Sequence, residues 1–196
     1  GVTSTIKGGG LGFVSGSATN TTLTTDGTRT GYFFRTVPPD AQQSKSVTHF
    51  IVSNLKYKKV YIIDDQEAYS TGLSDEVEAQ LKAAGVTTTR DGVSQQQSDF
   101  SSLIAKIPRD TQLVYIPWQL TPKAIAFGNQ MKAAGRGSIK LMGADGTFDD
   151  TFAAMLVSVP ESRRDRVIQA RTRRQSWDAL MLSAPTLVLL PIDGDG

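Results

Sequence analysis

The 196-residue chain predicts a doubly wound α/β fold, an open parallel sheet with helices on both faces. Two observations predict it. Short, continuous apolar runs at Val60-Tyr61-Ile62-Ile63, Leu113–Ile116 and Ile139–Met142 suit strands that are covered on both sides. Between the runs lie segments whose apolar residues recur at helical spacing, and alternation of strand and helix places successive strands side by side in one parallel sheet.

The elements follow in order. Gly1–Thr30 is rich in Gly, Thr and Ser and contains Gly8-Gly9-Gly10; with little to bury, it is expected to be a linker, an irregular loop or a truncated strand leading in. Asp40 is placed to cap a helix whose apolar positions are Val47, Phe50, Ile51 and Leu55. The strand Val60–Ile63 comes next. Ser74 is then expected to cap a helix that carries Val77 and Leu81 on one face and stops at Gly85. Val86–Arg90 is β-prone. Ser98 opens a helix with Phe100, Leu103, Ile104 and Ile107 at i, i+3, i+4, i+7, and Pro108 closes it. After the strand Leu113–Ile116, Thr121-Pro122 starts a helix that runs towards Gly135, and Ile139–Met142 forms a further strand. Beyond Phe152 the regularity weakens; Met155–Val159 suits one more strand, and Arg163–Arg174 carries six arginines, expected to be a solvated helix face because no aromatic residues interleave with them.

Composition narrows the function classes. A net charge of +2 is too small to argue for nucleic acid or an anionic membrane as partner. The absence of cysteine excludes disulfides, a Cys-based zinc site and a thiol nucleophile. No run reaches the roughly 18 apolar residues of a membrane span. Gly1–Gly12 shows no basic start and no long apolar stretch, so a signal peptide is not visible. His49 is the only histidine and alone builds neither a triad nor a multi-histidine metal site; it is expected on a helix surface. No Gly-x-Ser-x-Gly elbow occurs, and Gly8–Gly12 lacks the flanking strand and helix of a dinucleotide fingerprint. The expectation is a protein that is not an enzyme and holds no cofactor and no metal.

Open parallel sheets bind ligands outside the carboxyl ends of their strands. Asp64, Asp65 and Tyr69 follow the first buried run, Trp118 and Gln119 the next, and Asp145, between Gly143 and Gly146, the last. Carboxylates and rings on one rim suit a small cationic or zwitterionic ligand. Read alone, Gly143-Ala144-Asp145-Gly146 also fits a simple tight turn, and Tyr69 and Trp118 also fit packing positions. Asp64-Asp65 resembles the acidic pair of response-regulator receiver domains, but the later strand ends, Pro117-Trp118 and Gly143-Ala144, offer no phosphoacceptor aspartate, so a solvated loop pair is the expectation.

At these loops the chain resembles the leucine/isoleucine/valine-binding family of type I periplasmic substrate-binding proteins. Ser17-Ala18-Thr19-Asn20, Leu23-Thr24 and Tyr32-Phe33-Phe34-Arg35 are similar to the family's crossing segment, and Asp40-Ala41-Gln42-Gln43 to its next helix start. Val60–Asp65 with Tyr69 and Gly72-Leu73, then Asp99-Phe100-Ser101 and Leu103-Ile104, then Gly143–Gly146 follow in family order. The resemblance runs from Ser17 to Phe152, with Met155–Ser158 and Ser183–Thr186 as fainter similarities beyond.

The resemblance implies a flavodoxin-like lobe, mostly the family's C-terminal one, that captures an amino acid or similar small solute for an ABC-type importer. It implies a small-molecule ligand and a membrane permease as partners, and a periplasmic or extracellular location. Ser17 and Thr19 would hold both ends of an α-amino acid, Asp145 would pair with its ammonium, Tyr69 would hydrogen-bond and cover it, and Trp118 falls near a position usually held by an aromatic. The expected organisation is an irregular lead-in or hinge segment at 1–30, an α/β ligand-binding lobe at 31–152 and a divergent C-terminal segment at 153–196, a partial return to a first lobe that the resemblance leaves unrepresented. The alternatives are a lobe that binds nothing and self-associates as a homodimer through its uncovered face, and a receiver-like or ligand-sensing regulatory domain.

Overall fold

The computed structural model describes residues 5, 7–25, 27, 31–147 and 189–190, the last pair as backbone. The expected strand at Met155–Val159, the arginine cluster Arg163–Arg174 and the Ser183–Thr186 similarity lie outside the described residues.

Strand β1 (Phe13–Ser15), the short helix α1 (Thr22–Thr25) and strand β2 (Phe33–Arg35) come first. Strands β1 and β2 pair in parallel, Phe13 opposite Phe33, in a small sheet of their own. The expected boundary at residue 30 falls between these two paired strands. Helix α2 (Asp40–His49) continues as a wider π turn, Phe50–Leu55, that ends where Lys56 turns left-handed at φ 57°. Then come β3 (Lys59–Asp64), α3 (Ala68–Ala83), β4 (Thr87–Gly92), α4 (Ser101–Lys106), β5 (Leu113–Ile116), α5 (Thr121–Ala133), β6 (Lys140–Gly143), a 3₁₀ turn at Asp145–Thr147, and β7 (Leu189–Leu190).

The main sheet runs β4-β3-β5-β6-β7. Its first four strands are parallel, as expected of helix-linked strands. The fifth, β7, is antiparallel, with Leu190 opposite Leu141 and Leu189 opposite Met142; an antiparallel strand at the edge of an otherwise parallel sheet is a common arrangement.

Alternation along each strand divides the core into two layers. Val60, Ile62, Leu113, Tyr115 and Met142 pack on the side of Val47 and Ile51 from α2 and its π turn and of Leu73, Val77 and Leu81 from α3. Tyr61, Ile63, Val114, Ile116 and Leu141 pack on the other side, against Phe100, Leu103 and Ile104 and against Phe127 and Met131 of α5. Among the described residues no helix is long and apolar enough to cross a membrane.

The helix starts differ from the sequence reading in instructive ways. Pro39, not Asp40, occupies the cap position of α2; the Ala41 amide instead donates to Thr21 Oγ1, 2.9 Å away and 20 residues earlier. Ser74 lies inside α3, which begins six residues before it at Ala68 after an extended Glu67. Gly72 is tolerated within that helix because the N-terminal segment lies against it: a Cβ there would stand 2.8 Å from Asn20 Nδ2. Helix α4 opens at Ser101 rather than Ser98, with Asp99 Oδ1 accepting the Ser101 amide at 2.9 Å. The stops at Gly85 and Gly135 hold, since both glycines adopt the left-handed φ that ends a helix, +73° and +67°.

Candidate functional site

The carboxyl ends of β3, β5 and β6 present their loops at one edge of the sheet. After β6 the chain tightens into the turn Asp145–Thr147, which Thr147 anchors: its amide and its hydroxyl both donate to the Ala144 carbonyl at 3.1 Å. Gly146 is required by this packing. A Cβ on it would meet the Trp118 carbonyl oxygen at 2.6 Å and Tyr69 Cε1 at 3.1 Å. The turn leaves Asp145 exposed beside the first turn of α3, which supplies the half-buried Tyr69.

Two donors meet one carboxylate oxygen. The Tyr69 hydroxyl donates to Asp145 Oδ1, and Gln43 Nε2 donates to the same atom at 2.7 Å. The Tyr69 hydroxyl in turn accepts the Gly146 amide at 3.2 Å, which ties its orientation to the turn. Burial, together with the Asp145 charge, pushes the Tyr69 phenol well above the ordinary tyrosine value, so it serves as a neutral donor. A carboxylate oriented by two donors on one oxygen, with no hydrogen bond to the other among the described residues, can receive an ammonium group.

Behind this surface lies a buried polar cluster. Asp40 is 1% exposed, yet among the described residues neither of its carboxylate oxygens has a hydrogen-bond partner. Thr19 Oγ1, Gln43 Oε1 and the Tyr115 hydroxyl are also buried and unpartnered. Burial pushes the Asp40 carboxyl up to about 6; the Thr19 hydroxyl, near but outside hydrogen-bonding geometry, and Arg35 hold it down, while Asp145 and Glu76 raise it. Tyr115, fully buried, is pushed far above the ordinary phenol value by desolvation, with Asp145 and Asp40 adding to it.

The Ser17–Asn20 segment reaches this cluster through Arg35. The guanidinium donates to the carbonyls of Ala18, Thr19 and Asn20 at 3.3, 2.8 and 3.0 Å, gathering the segment round one cation. Thr19 is buried and its carbonyl accepts the Asp40 amide at 2.8 Å. Ser17 is exposed, and its amide donates to Ser15 Oγ at 3.3 Å. Nothing in the chain near Arg35 signals this role, whereas polar Asp40, Gln43 and Ser44 on the same helix face as Val47 did offer a signal of a polar core.

Of the expected site residues the structure therefore joins Tyr69 to Asp145 and sets Thr19 behind them. It places Trp118 elsewhere. The indole is fully buried on the other side of the sheet, 5.9 Å from the Phe100 ring and 5.4 Å from that of Phe127, and Nε1 donates to the Ile63 carbonyl at 2.7 Å. Lys123 Nζ sits 4.7 Å over the ring. Trp118 thus reaches the rim through its backbone carbonyl, and its ring is core. Asp64 and Asp65, expected to be solvated, are buried too. Asp64 pairs with Arg90 Nε at 2.9 Å, and Asp65 accepts Gln95 Nε2 at 3.1 Å and the Glu67 amide at 3.2 Å. Among the described residues no group of three or more His, Cys, Asp or Glu side chains is placed to hold a metal ion. His49 is exposed on α2, its Nδ1 3.4 Å from Ser53 Oγ.

Comparison with known proteins gives concordant matches. Residues 1–157 match the family described as periplasmic binding protein. A Leu/Ile/Val-binding protein homolog of Brucella melitensis is 34% identical over 107 residues, 54% of this chain and 28% of the relative. An amino acid binding protein of Pseudomonas aeruginosa is 34% identical over 121 residues, 61% of this chain and 32% of the relative. The chain spans under a third of the length of these relatives. Among solved structures, a branched-chain amino acid transporter substrate binding protein from Streptococcus pneumoniae, in complex with isoleucine, superposes with a TM-score of 0.66 at 22% identity, over 78% of this chain and 42% of that one. A leucine binding protein from Thermotoga maritima gives 0.70 at 20% identity, over 82% and 44%. At that identity the structural matches establish the fold.

Proposed function

Since the chain belongs to the periplasmic binding protein family, we propose that it captures an α-amino acid, or a similar small zwitterion, as the solute-binding part of an ABC-type importer, outside the cytoplasmic membrane and without catalysing a reaction. The observation that carries this reading is the convergence of Tyr69 and Gln43 on Oδ1 of an exposed Asp145. Two neutral donors fix the carboxylate without cancelling its charge, so a ligand ammonium meets an oriented anion. Tyr69 covers the bound group, and Thr19 and Ser17 lie on the segment that would meet the ligand's carboxylate with amide and hydroxyl donors. The named ligands of the relatives, branched-chain amino acids among them, make L-leucine, L-isoleucine and L-valine the first candidates.

The proposed organisation follows: residues 1–30 as the lead-in or hinge segment, 31–152 as the ligand-binding lobe and 153–196 as a divergent continuation. The exposed apolar side chains of Val14 and Phe34 on the small β1–β2 sheet, and of Leu11 just before it, support a further body of the whole binding protein that would cover this sheet, with a membrane permease as the downstream partner. Isothermal titration of the 196-residue chain with the three amino acids at millimolar concentration tests the reading. Saturable heat that Asp145→Asn weakens is the expected result; no heat with any of the three overturns it.

A further inference from the structure

The amino-acid reading leaves the Asp40 carboxylate of this cluster without a task, and the inference drawn from it rests on that reading. Its two oxygens, with Thr19 Oγ1, Gln43 Oε1 and the Tyr115 hydroxyl, are buried and, among the described residues, unpartnered, although leaving a buried polar group without a partner destabilises the fold. The carboxylate and amide oxygens accept only, while each hydroxyl brings a single donor proton. Ionised, Asp40 would therefore be a buried anion short of donors.

Its surroundings do not neutralise it. Asp145 from the β6 turn and Glu76 from α3 bear on it as like charges. Arg35 from β2 is the opposing cation, and its guanidinium is committed to the carbonyls of Ala18, Thr19 and Asn20. Tyr115 from β5 and Tyr69 from α3 stay neutral, both phenols being raised. Gln43, three residues after Asp40 on the same helix face, holds Asp145 with Nε2 while its own Oε1 lacks a donor. A protonated Asp40 supplies a donor where the cluster needs one.

We infer that Asp40 is a charge-sensing, positioning residue of the ligand site: in mildly acidic solution it is protonated while Asp145 faces solvent alone, and it ionises when a ligand ammonium docks on Asp145. The ammonium keeps its protons; the O–H bond of Asp40 breaks and that proton passes to the buffer, so one positive charge enters the site as one leaves. An amine then gains a second carboxylate, whereas a neutral or anionic ligand gains none. Asp40 thus selects ammonium-bearing ligands and ties their capture to pH.

The test is isothermal titration of the 196-residue chain with L-leucine in buffers of different ionisation enthalpy. With Asp40 near 6 when the site is empty, about half a proton is expected to be released per L-leucine at pH 6 and almost none at pH 7.5, and binding is expected to be about tenfold weaker at pH 5 than at pH 7.5. Asp40→Asn should abolish the release and flatten the pH profile. The buffer comparison needs no substitution, so it stands even if that variant folds poorly. L-leucine heat at pH 6 that is independent of buffer would overturn the role of Asp40 and leave the amino-acid reading intact. Absence of heat with L-leucine, L-isoleucine and L-valine at every pH overturns both.

Discussion

The Tyr69 hydroxyl and the Asp145 carboxylate, 76 residues apart in the chain, share a hydrogen bond at the carboxyl edge of the parallel sheet. The bond links the first turn of α3 to the loop after β6, two places that the order β3-β5-β6 keeps close. Position of the anion thus depends on the sheet, while its strength as the proposed ammonium receptor depends on the two side chains that hold it.

Removing one holder should loosen the receptor and leave the fold. Tyr69→Phe deletes the donor to Asp145 and the acceptor of the Gly146 amide. Because the donor serves a charged group, L-leucine binding is expected to weaken about tenfold or more, with a stability change under about 1 kcal/mol. Titration calorimetry beside urea unfolding separates the two. Unchanged affinity would dissociate Tyr69 from the site.

Gly146 answers to geometry rather than to chain flexibility. Its φ is not left-handed, but an added Cβ would come within 2.6 Å of a backbone oxygen, which has no rotamer to yield. Gly146→Ala is expected to cost about 1–3 kcal/mol of stability and to displace Asp145 enough to weaken ligand binding. A variant as stable as the parent protein would mean that the turn relaxes freely.

Trp118 is expected to behave as a core residue. Trp118→Ala should destabilise by about 3–5 kcal/mol, since it opens a space between Phe100 and Phe127 and leaves the Ile63 carbonyl without the indole donor. Trp118→Phe keeps most of the packing, and its L-leucine affinity should match that of the parent. A large loss of affinity in a stably folded Trp118→Phe protein would return the ring to the binding surface.

The strands were legible because a run covered on both faces must be apolar throughout, and Val60–Ile63 and Leu113–Ile116 are. The meeting of Asp145 with Tyr69 followed from placing both beyond strand ends. Proximity to the rim does not place the Trp118 ring, but the period of two does: Val114 and Ile116 face the α4 and α5 side, and the same alternation carries Trp118 there. The start of α3 was missed because Ser74 has the chemistry of a cap, while the turn that actually precedes the helix is held by Ser70 Oγ accepting the Asp65 amide, a contact across five residues with no local signature. The Arg35 clamp depends on β2 lying beside the Ala18–Asn20 loop, a tertiary relationship that no spacing announces.

Asp40 also gives a prediction that needs no ligand. Its folded-state value of about 6 lies above the ordinary aspartate value of 3.8, chiefly through burial. Between those two pH values the folded protein binds more protons than the unfolded chain, so this group's contribution to stability is greatest below 3.8 and is lost as pH rises through 6. Two decades of proton affinity correspond to a penalty of about 3 kcal/mol at neutral pH. Asp40→Asn keeps the side-chain size, removes the buried charge and supplies an amide donor to the cluster of unpartnered acceptors. The variant is therefore expected to be more stable than the parent at pH 7.5, by up to about 3 kcal/mol, with the gap closing as pH falls towards 4. Urea unfolding at a series of pH values checks it. A gap that stays constant would show that the Asp40 proton is not linked to folding, and one that widens on acidification that the folded state lowers the Asp40 value instead of raising it; either result means that the cluster around it is satisfied in some other way.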